Sequence, residues 1–260
     1  MSRFLVGAVI GTLLALPSHS QSATLVGLTG DNQLLLIDTE KKAAAAPRPI
    51  TGSEGRIVGI DVRPSDGKLY GVSSSGQIVT VSPVTGEASP VGQIAEKIEL
   101  GDRPVVDFNP VADRLRVITG AGSSLRINVD TGQTVIDKPL AFDPADANGS
   151  KRPAIAAGAY INAVPGAKTT ELLHVDAGLG ALLLQNPPND GILKTKGLLG
   201  IAIQPTAAMD ILADGKGGNL AFLISDNTLY SIDLDTAKAK ELGLISGMAA
   251  SVVDIAVLPQ

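Results

Sequence analysis

The chain has 260 residues, 44% of them apolar and 3% aromatic, with 29 glycines, 16 prolines and no cysteine. That is enough apolar material for a sizeable core, which excludes disorder, and the absence of a glycine period excludes collagen. The net charge of −5 carries no basic stripe, which excludes nucleic acid as a partner, and the lack of cysteine excludes disulfides, thiolate nucleophiles and cysteine metal sites.

The first element in chain order is a targeting segment. Arg3 gives a positive start, Phe4 to Leu16 is an apolar run, and Pro17-Ser18-His19-Ser20 is a small polar exit. This is the order of a secretory signal peptide over residues 1–23, cut between Ser20 and Ala23. An uncleaved anchor is the alternative, although the run is short for a bilayer span. No later run reaches the ~18 apolar residues of a membrane helix, so no span is expected after cleavage. Loss of Arg3 leaves a mature chain of net charge −6 over residues 24–260. Without cysteine, it suits a bacterial periplasm or secretion into the medium.

The mature region repeats. Gly59-Ile60-Asp61-Val62-Arg63-Pro64 leads to Lys68-Leu69-Tyr70-Gly71-Val72, then Gly76 to Val81, then the turn Pro83-Val84-Thr85-Gly86. Val105-Val106-Asp107-Phe108-Asn109-Pro110 opens a second copy, followed by Arg114 to Ile118, Ser124 to Val129 and Asp130-Thr131-Gly132. Pro64 and Pro110 are 46 residues apart, as are Leu69 and Leu115, and Thr39, Thr85 and Thr131 recur at the same interval. Looser copies open at Ala157 to Asn162 and at Gly200 to Pro205. The first unit, beginning at Leu25, lacks an opening strand, and Ser251 to Val257 supplies one from the other end of the chain.

Each segment is short, rich in Val, Ile and Leu, and bounded by Gly, Pro, Asp, Asn or Ser, the pattern of strands joined by hairpins. Helical periodicity is absent apart from a short turn expected near Ile94 to Leu100. Four strands in about 47 residues make a propeller blade. The expected fold is therefore all-β: a five-bladed β-propeller with four antiparallel strands per blade, closed by the C-terminal strand joining the N-terminal blade. Six blades, the alternative, need a further unit that the repeats do not provide.

Three stretches carry a resemblance to a family of exported bacterial propeller-like proteins known only as a domain of unknown function. They are Val106-Asp107-Phe108-Asn109-Pro110 with Asp113 to Val117, Ala159-Tyr160-Ile161-Asn162, and Gln185-Asn186-Pro187-Pro188-Asn189-Asp190-Gly191 with Leu198-Leu199-Gly200. The resemblance spans about Thr24 to Pro259, with Ile161 standing where the family more often has Thr. It implies the fold and export, and no activity.

Candidate sites are few. His174 lies mid-strand and no Gly-x-Ser-x-Gly elbow accompanies it, so a structural histidine is expected rather than a triad member. Asp143 to Gly149 is an acidic loop that invites a calcium reading. Against a calcium-loop template, however, Pro144 and Ile155 fall where carboxylates belong, and Asx-turn chemistry explains the loop. The opening strands place Asp61, Arg63, Asp107, Asn109, Tyr160, Asn162, Gln204 and Asp254 at alternate positions, hence on one face. Near the axis of a ring this polar set offers a place for a cation or a small polar ligand. The alternative is that it bonds neighbouring blades and caps turns, since buried polar groups need partners. Arg63 is placed to neutralise Asp61. The paired prolines Pro187-Pro188 fix a turn whose functional alternative is a recognition loop.

The expected function is a non-catalytic binding or interaction module, monomeric, with a small ligand or an envelope protein as partner and no cofactor. The alternatives are a metal-assisted hydrolase or lactonase acting through the axial polar residues, and a purely structural cell-surface protein.

Overall fold

A computed structural model describes residues 22–259. The signal peptide expected over residues 1–23 lies outside them except for its last two residues. The Val-, Ile- and Leu-rich segments form five small sheets in a ring. Blade 1 holds β1 (Thr24–Thr29), β2 (Gln33–Asp38) and two outer fragments, β3 (Ala43–Ala44) and β4 (Arg48–Pro49). Blade 2 is β5 (Ile57–Val62), β6 (Leu69–Ser73), β7 (Gln77–Val81) and β8 (Ala88–Gln93). Blade 3 is β9 (Val105–Asn109), β10 (Arg114–Ile118), β11 (Ser124–Ile127) and β12 (Thr134–Asp137). Blade 4 begins with an outlying fragment, β13 (Ala141–Phe142), then β14 (Ile155–Tyr160), β15 (Leu172–Asp176), β16 (Ala181–Gln185) and β17 (Ile192–Leu198). Blade 5 is β18 (Ala208–Ala213), β19 (Asn219–Ser225), β20 (Thr228–Asp233) and β21 (Lys238–Leu244). The last strand, β22 (Val252–Val257), returns to blade 1 and pairs antiparallel with β1, Leu25 opposite Val257 and Gly27 opposite Ile255. The protein is thus a five-bladed β-propeller closed by its C-terminal strand. A ring leaves no blade face without a neighbour, and the shared blade removes the seam at which the ring would open.

Two expectations are corrected. Gly200 to Pro205, read as the opening strand of blade 5, is a loop; the inner strand is β18, several residues later. Ile94 to Leu100 forms no helical turn, and its end residues bury their side chains against blades 2 and 3. Among the described residues the one helical element is the single 3-10 turn Pro188–Asp190.

The inner strands touch in cyclic order: β22, β5, β9, β14, β18 and again β22. They approach closely. A Cβ added at Gly59 would stand 2.2 Å from a methyl of Val106 on the next inner strand, so blades 2 and 3 meet at this distance only because position 59 carries no side chain. Each junction between blades has its own apolar cluster. Leu28, Ile57 and Val79 join blades 1 and 2, and Val72, Phe108 and Leu115 join blades 2 and 3. Leu173, Met209 and Leu223 join blades 4 and 5, and Leu25, Phe222 and Ile255 join blades 5 and 1. The cluster between blades 3 and 4 is small: Val105, Ile118, Tyr160 and Leu172.

Candidate functional site

Period-two alternation turns one side chain of each inner strand towards the axis. On four of the five that residue is aspartate, and each carboxylate reaches the backbone of the next blade. Asp254 accepts the Ile60 N–H (2.8 Å), Asp61 the Phe108 N–H (2.6 Å), Asp107 the Tyr160 N–H (3.0 Å) and Asp210 the Val257 N–H (2.6 Å). Three of them also cap the residue that follows: Asp61 accepts the Val62 N–H, Asp210 that of Ile211 and Asp254 that of Ile255. The polar face of the inner strands is therefore a set of ties between blades.

The fifth position holds no acid. Val62 pairs with Leu69, Phe108 with Leu115 and Tyr160 with Leu172, so the residue of β14 in register with Asp61 and Asp107 is Ala159. Tyr160 lies one residue further, buried between blades 3 and 4, where its hydroxyl accepts from Arg116 Nε (3.2 Å).

Asp61, Asp107 and Asp210 also converge. One carboxylate oxygen from each lies within 4.8 Å of the others, and all three residues are buried. They line a cavity of about 670 Å³. Its remaining walls come from segments at or beyond the ends of the inner strands: Pro64 to Gly67, Ala163 to Pro165, Ile211 to Lys216 and Val257 to Pro259. Asp66, Asp214 and Lys216 are exposed at its mouth. Burial, and then the charges of neighbouring carboxylates, push Asp61 and Asp107 well above the usual carboxylate range. Burial does the same to Asp254, and raises Asp210 to about 6 against the pull of its backbone hydrogen bonds. Asp254 lies outside the cavity lining.

The other residues singled out in the sequence go elsewhere. Arg63 does not neutralise Asp61. Its guanidinium spans to blade 3 and grips Asp113 (2.6 and 2.9 Å) and Asp130 (2.9 Å), holding both carboxyls below their ordinary range. The Asn109 side chain caps a turn through the Val111 and Ala112 N–H groups. Asn162 exchanges hydrogen bonds with Asn219 of blade 5: its N–H donates to Asn219 Oδ1 (2.7 Å), and Asn219 Nδ2 returns one to its side chain (2.9 Å). Gln204 is exposed in the loop before β18, and its N–H donates to Ser225. The axial residue of blade 5 is Asp210, missed in the sequence. Its signal was an aspartate between two apolar residues, as in Ile60-Asp61-Val62, Val106-Asp107-Phe108, Met209-Asp210-Ile211 and Val253-Asp254-Ile255.

His174 is fully buried opposite Gly158, and its Nε2 meets Gln185 Oε1 at 2.7 Å. Gln185 Nε2 donates to the Pro188 carbonyl, so Oε1 is free to accept and the imidazole proton sits on Nε2. Burial lowers the pKa of the ring to about 4, so it is neutral. The turn after Gln185 ties blade 4 to blade 3: Asn189 Oδ1 accepts from Arg116 Nη2 (3.0 Å), and Asp190 pairs with Lys138 (2.7 Å). In the acidic loop, Asp146 takes the Asn148 N–H (2.8 Å), the Thr195 N–H (2.7 Å) and the Thr195 hydroxyl (3.0 Å), while Asp143 caps Ala145. Asx turns and this tie to Thr195 account for the acids there.

A solved structure of a protein of unknown function from Bacteroides thetaiotaomicron is similar at a TM-score of 0.50 and 12% identity, over 91% of this chain and 65% of that one. A protein of unknown function from Bacteroides caccae gives 0.46 and 12%, over 93% and 100%. A third, an auxiliary nutrient binding protein from Bacteroides thetaiotaomicron, gives 0.43 and 16%, over 76% and 55%. At such identities the likeness concerns the fold alone. None of the curated proteins matches the chain. The family model described as a domain of unknown function, DUF4394, matches residues 33–256, and the chain belongs to that family.

Proposed function

We propose that the protein is an exported, non-catalytic binding module that takes a small polar ligand into the axial cavity. The periplasm or the medium is its place of work. The observation that carries this reading is an open cavity of about 670 Å³ with three buried carboxylates in its wall. Its volume is that of a small-molecule site, and its lining sets five aspartates and Lys216 among apolar side chains. The carboxylates select for hydrogen-bond donors or positive charge. Thermal denaturation of the mature chain against a panel of small polar and cationic molecules tests it. At a hundredfold excess over Kd a ligand adds about 2.7 kcal/mol, which raises Tm by roughly 5–10 °C for a chain of this size. Ala163→Trp, which enlarges a side chain of the cavity wall and leaves the carboxylates themselves unchanged, is expected to abolish the shift. A hit that survives Ala163→Trp, or a panel without hits, sinks this reading.

A metal-assisted hydrolase or lactonase at the same carboxylates is the second reading. It is favoured by Asp210, whose pKa of about 6 suits proton transfer near neutral pH. Each Asp210 oxygen already accepts one backbone N–H, from Ile211 and from Val257, which leaves one lone pair apiece for a metal or a proton. Turnover of an ester or lactone panel that Asp210→Asn abolishes would establish it.

A further inference from the structure

We propose that the propeller axis holds one divalent, oxygen-preferring cation, with Asp61, Asp107 and Asp210 as its protein ligands and its remaining positions open to the cavity. The inference rests on the cavity being the binding site, and names what sits at its carboxylates. The first observation is distance. Oxygens bound to one calcium ion at 2.3–2.6 Å stand at most about 5 Å apart, and one oxygen from each of the three carboxylates falls within 4.8 Å of the others. The second is an oxygen without a donor. Asp107 is only 4% exposed, and its Oδ1 accepts the Tyr160 N–H. No hydrogen bond reaches its Oδ2 among the described residues, although Asp107 lines the cavity. A carboxylate oxygen in such a place needs a proton, a water or a cation.

The third is charge. Among the described residues no ion pair engages Asp61, Asp107 or Asp210. Nearby Arg63 is committed to Asp113 and Asp130, and Arg116 to Asp137. A cation on the axis supplies the missing positive charge and bridges blades 2, 3 and 5. The donors are all carboxylate oxygens, which suit calcium or magnesium rather than a metal that prefers nitrogen or sulfur. With three protein ligands, such an ion keeps positions for water or for a small molecule in the cavity.

The test uses the mature chain, freed of metal with a chelator and titrated calorimetrically with calcium chloride and, separately, with magnesium chloride. One equivalent is expected to bind with a Kd at or below about 1 mM, within the range of extracellular calcium modules. Asp107→Asn keeps an oxygen for the Tyr160 N–H and is expected to weaken binding at least about tenfold. Asp146→Asn, in the acidic loop, is expected to leave it unchanged. Native mass spectrometry of the unsubstituted chain counts the ion independently of any variant. No bound ion, equal binding by Asp107→Asn, or loss of binding in Asp146→Asn overturns the proposal. A metal-silent chain whose small-molecule shift disappears in Ala163→Trp loses the cation and keeps the binding module. A chain that takes the ion but no small molecule does the reverse.

Discussion

Blades 3 and 4 are joined differently from blades 4 and 5. Between 4 and 5 the axial position is Ala159, not an acid, and the junction is filled by an extensive apolar cluster around Leu173, Met209, Leu223 and Ile232. Between 3 and 4 the apolar cluster is small and a buried cation takes its place. Arg116, 1% exposed, donates to Asp137 (2.6 Å), Ser124 (2.8 Å), Asn189 (3.0 Å) and the Tyr160 hydroxyl (3.2 Å), while Arg126 makes two further bonds to Asp137. One repeat unit thus supports two solutions to the same packing problem. Apolar area tolerates the loss of the axial tie, whereas a polar junction must satisfy every group it buries.

That contrast breaks most visibly at Arg116. Arg116→Ala leaves Asp137 short of a partner and the Tyr160 and Asn189 side chains without a donor. Removing one member of a buried pair costs about 3–5 kcal/mol, and denaturant unfolding is expected to show a loss in that range. A loss under about 1 kcal/mol would mean that the network is incidental to the junction. In the apolar junction Leu223→Ala, at a fully buried position, is expected to cost about 2–5 kcal/mol through lost burial and a residual cavity. A cost near zero there would show that blades 4 and 5 are held by something other than packing.

A pH titration sharpens the comparison, because blade 4 buries a neutral imidazole. The folded-state pKa of His174 is about 4, below the ordinary 6.5, so protonation favours the unfolded chain. Its contribution is complete above pH 6.5 and is lost as the pH falls towards 4. The difference corresponds to about 3 kcal/mol. His174→Gln is expected to flatten this part of the stability profile, and an unchanged slope would refute the assignment. In the metal-free chain Asp210 acts in the opposite sense: its folded pKa is raised to about 6, so the stability it contributes is complete below 3.8 and is lost as the pH climbs through about 6.

The ring was legible in the sequence because its signals are local. Val, Ile and Leu runs, turn residues and the 46-residue spacing of Leu69 from Leu115 each need only neighbouring residues to be read. The closing strand was legible because Val253-Asp254-Ile255 repeats Val106-Asp107-Phe108. Blade 5 failed for a specific reason. Gly200 to Pro205 copies the glycine–proline frame of Gly59 to Pro64, but a frame marks turns rather than pairing, and Pro205 begins a turn that leads into β18. The flanked aspartate Met209-Asp210-Ile211 was the better guide, since only it encodes the tie to the next blade. The Arg116 network could not be read at all. Its partners Asp137 and Asn189 stand 21 and 73 residues away, and only the completed ring brings them to one guanidinium. Arg63 misled for a related reason: proximity in sequence suggested Asp61, while the fold offered it two better-placed carboxylates on blade 3.

The smallest expected effect tests whether the apolar junction depends on the reciprocal polar contact between Asn162 and Asn219. Asn162 has a left-handed backbone (φ 57°), which directs its N–H to Asn219 Oδ1 while its own side chain receives the Asn219 amide. Asn219→Ala deletes both bonds. The site is only partly buried, so water replaces much of what is lost, and a net hydrogen bond is worth about 1 kcal/mol. The denaturation midpoint is expected to fall accordingly with an unchanged m-value, and Tm by roughly 2–4 °C. Asn219→Asp separates the two bonds, because it keeps an acceptor for the Asn162 N–H and removes only the return donor. A loss above about 3 kcal/mol in Asn219→Ala, comparable to Arg116→Ala, would show that blades 4 and 5 also depend on a polar tie, with the Asn162–Asn219 pair in the place that aspartate fills elsewhere in the ring.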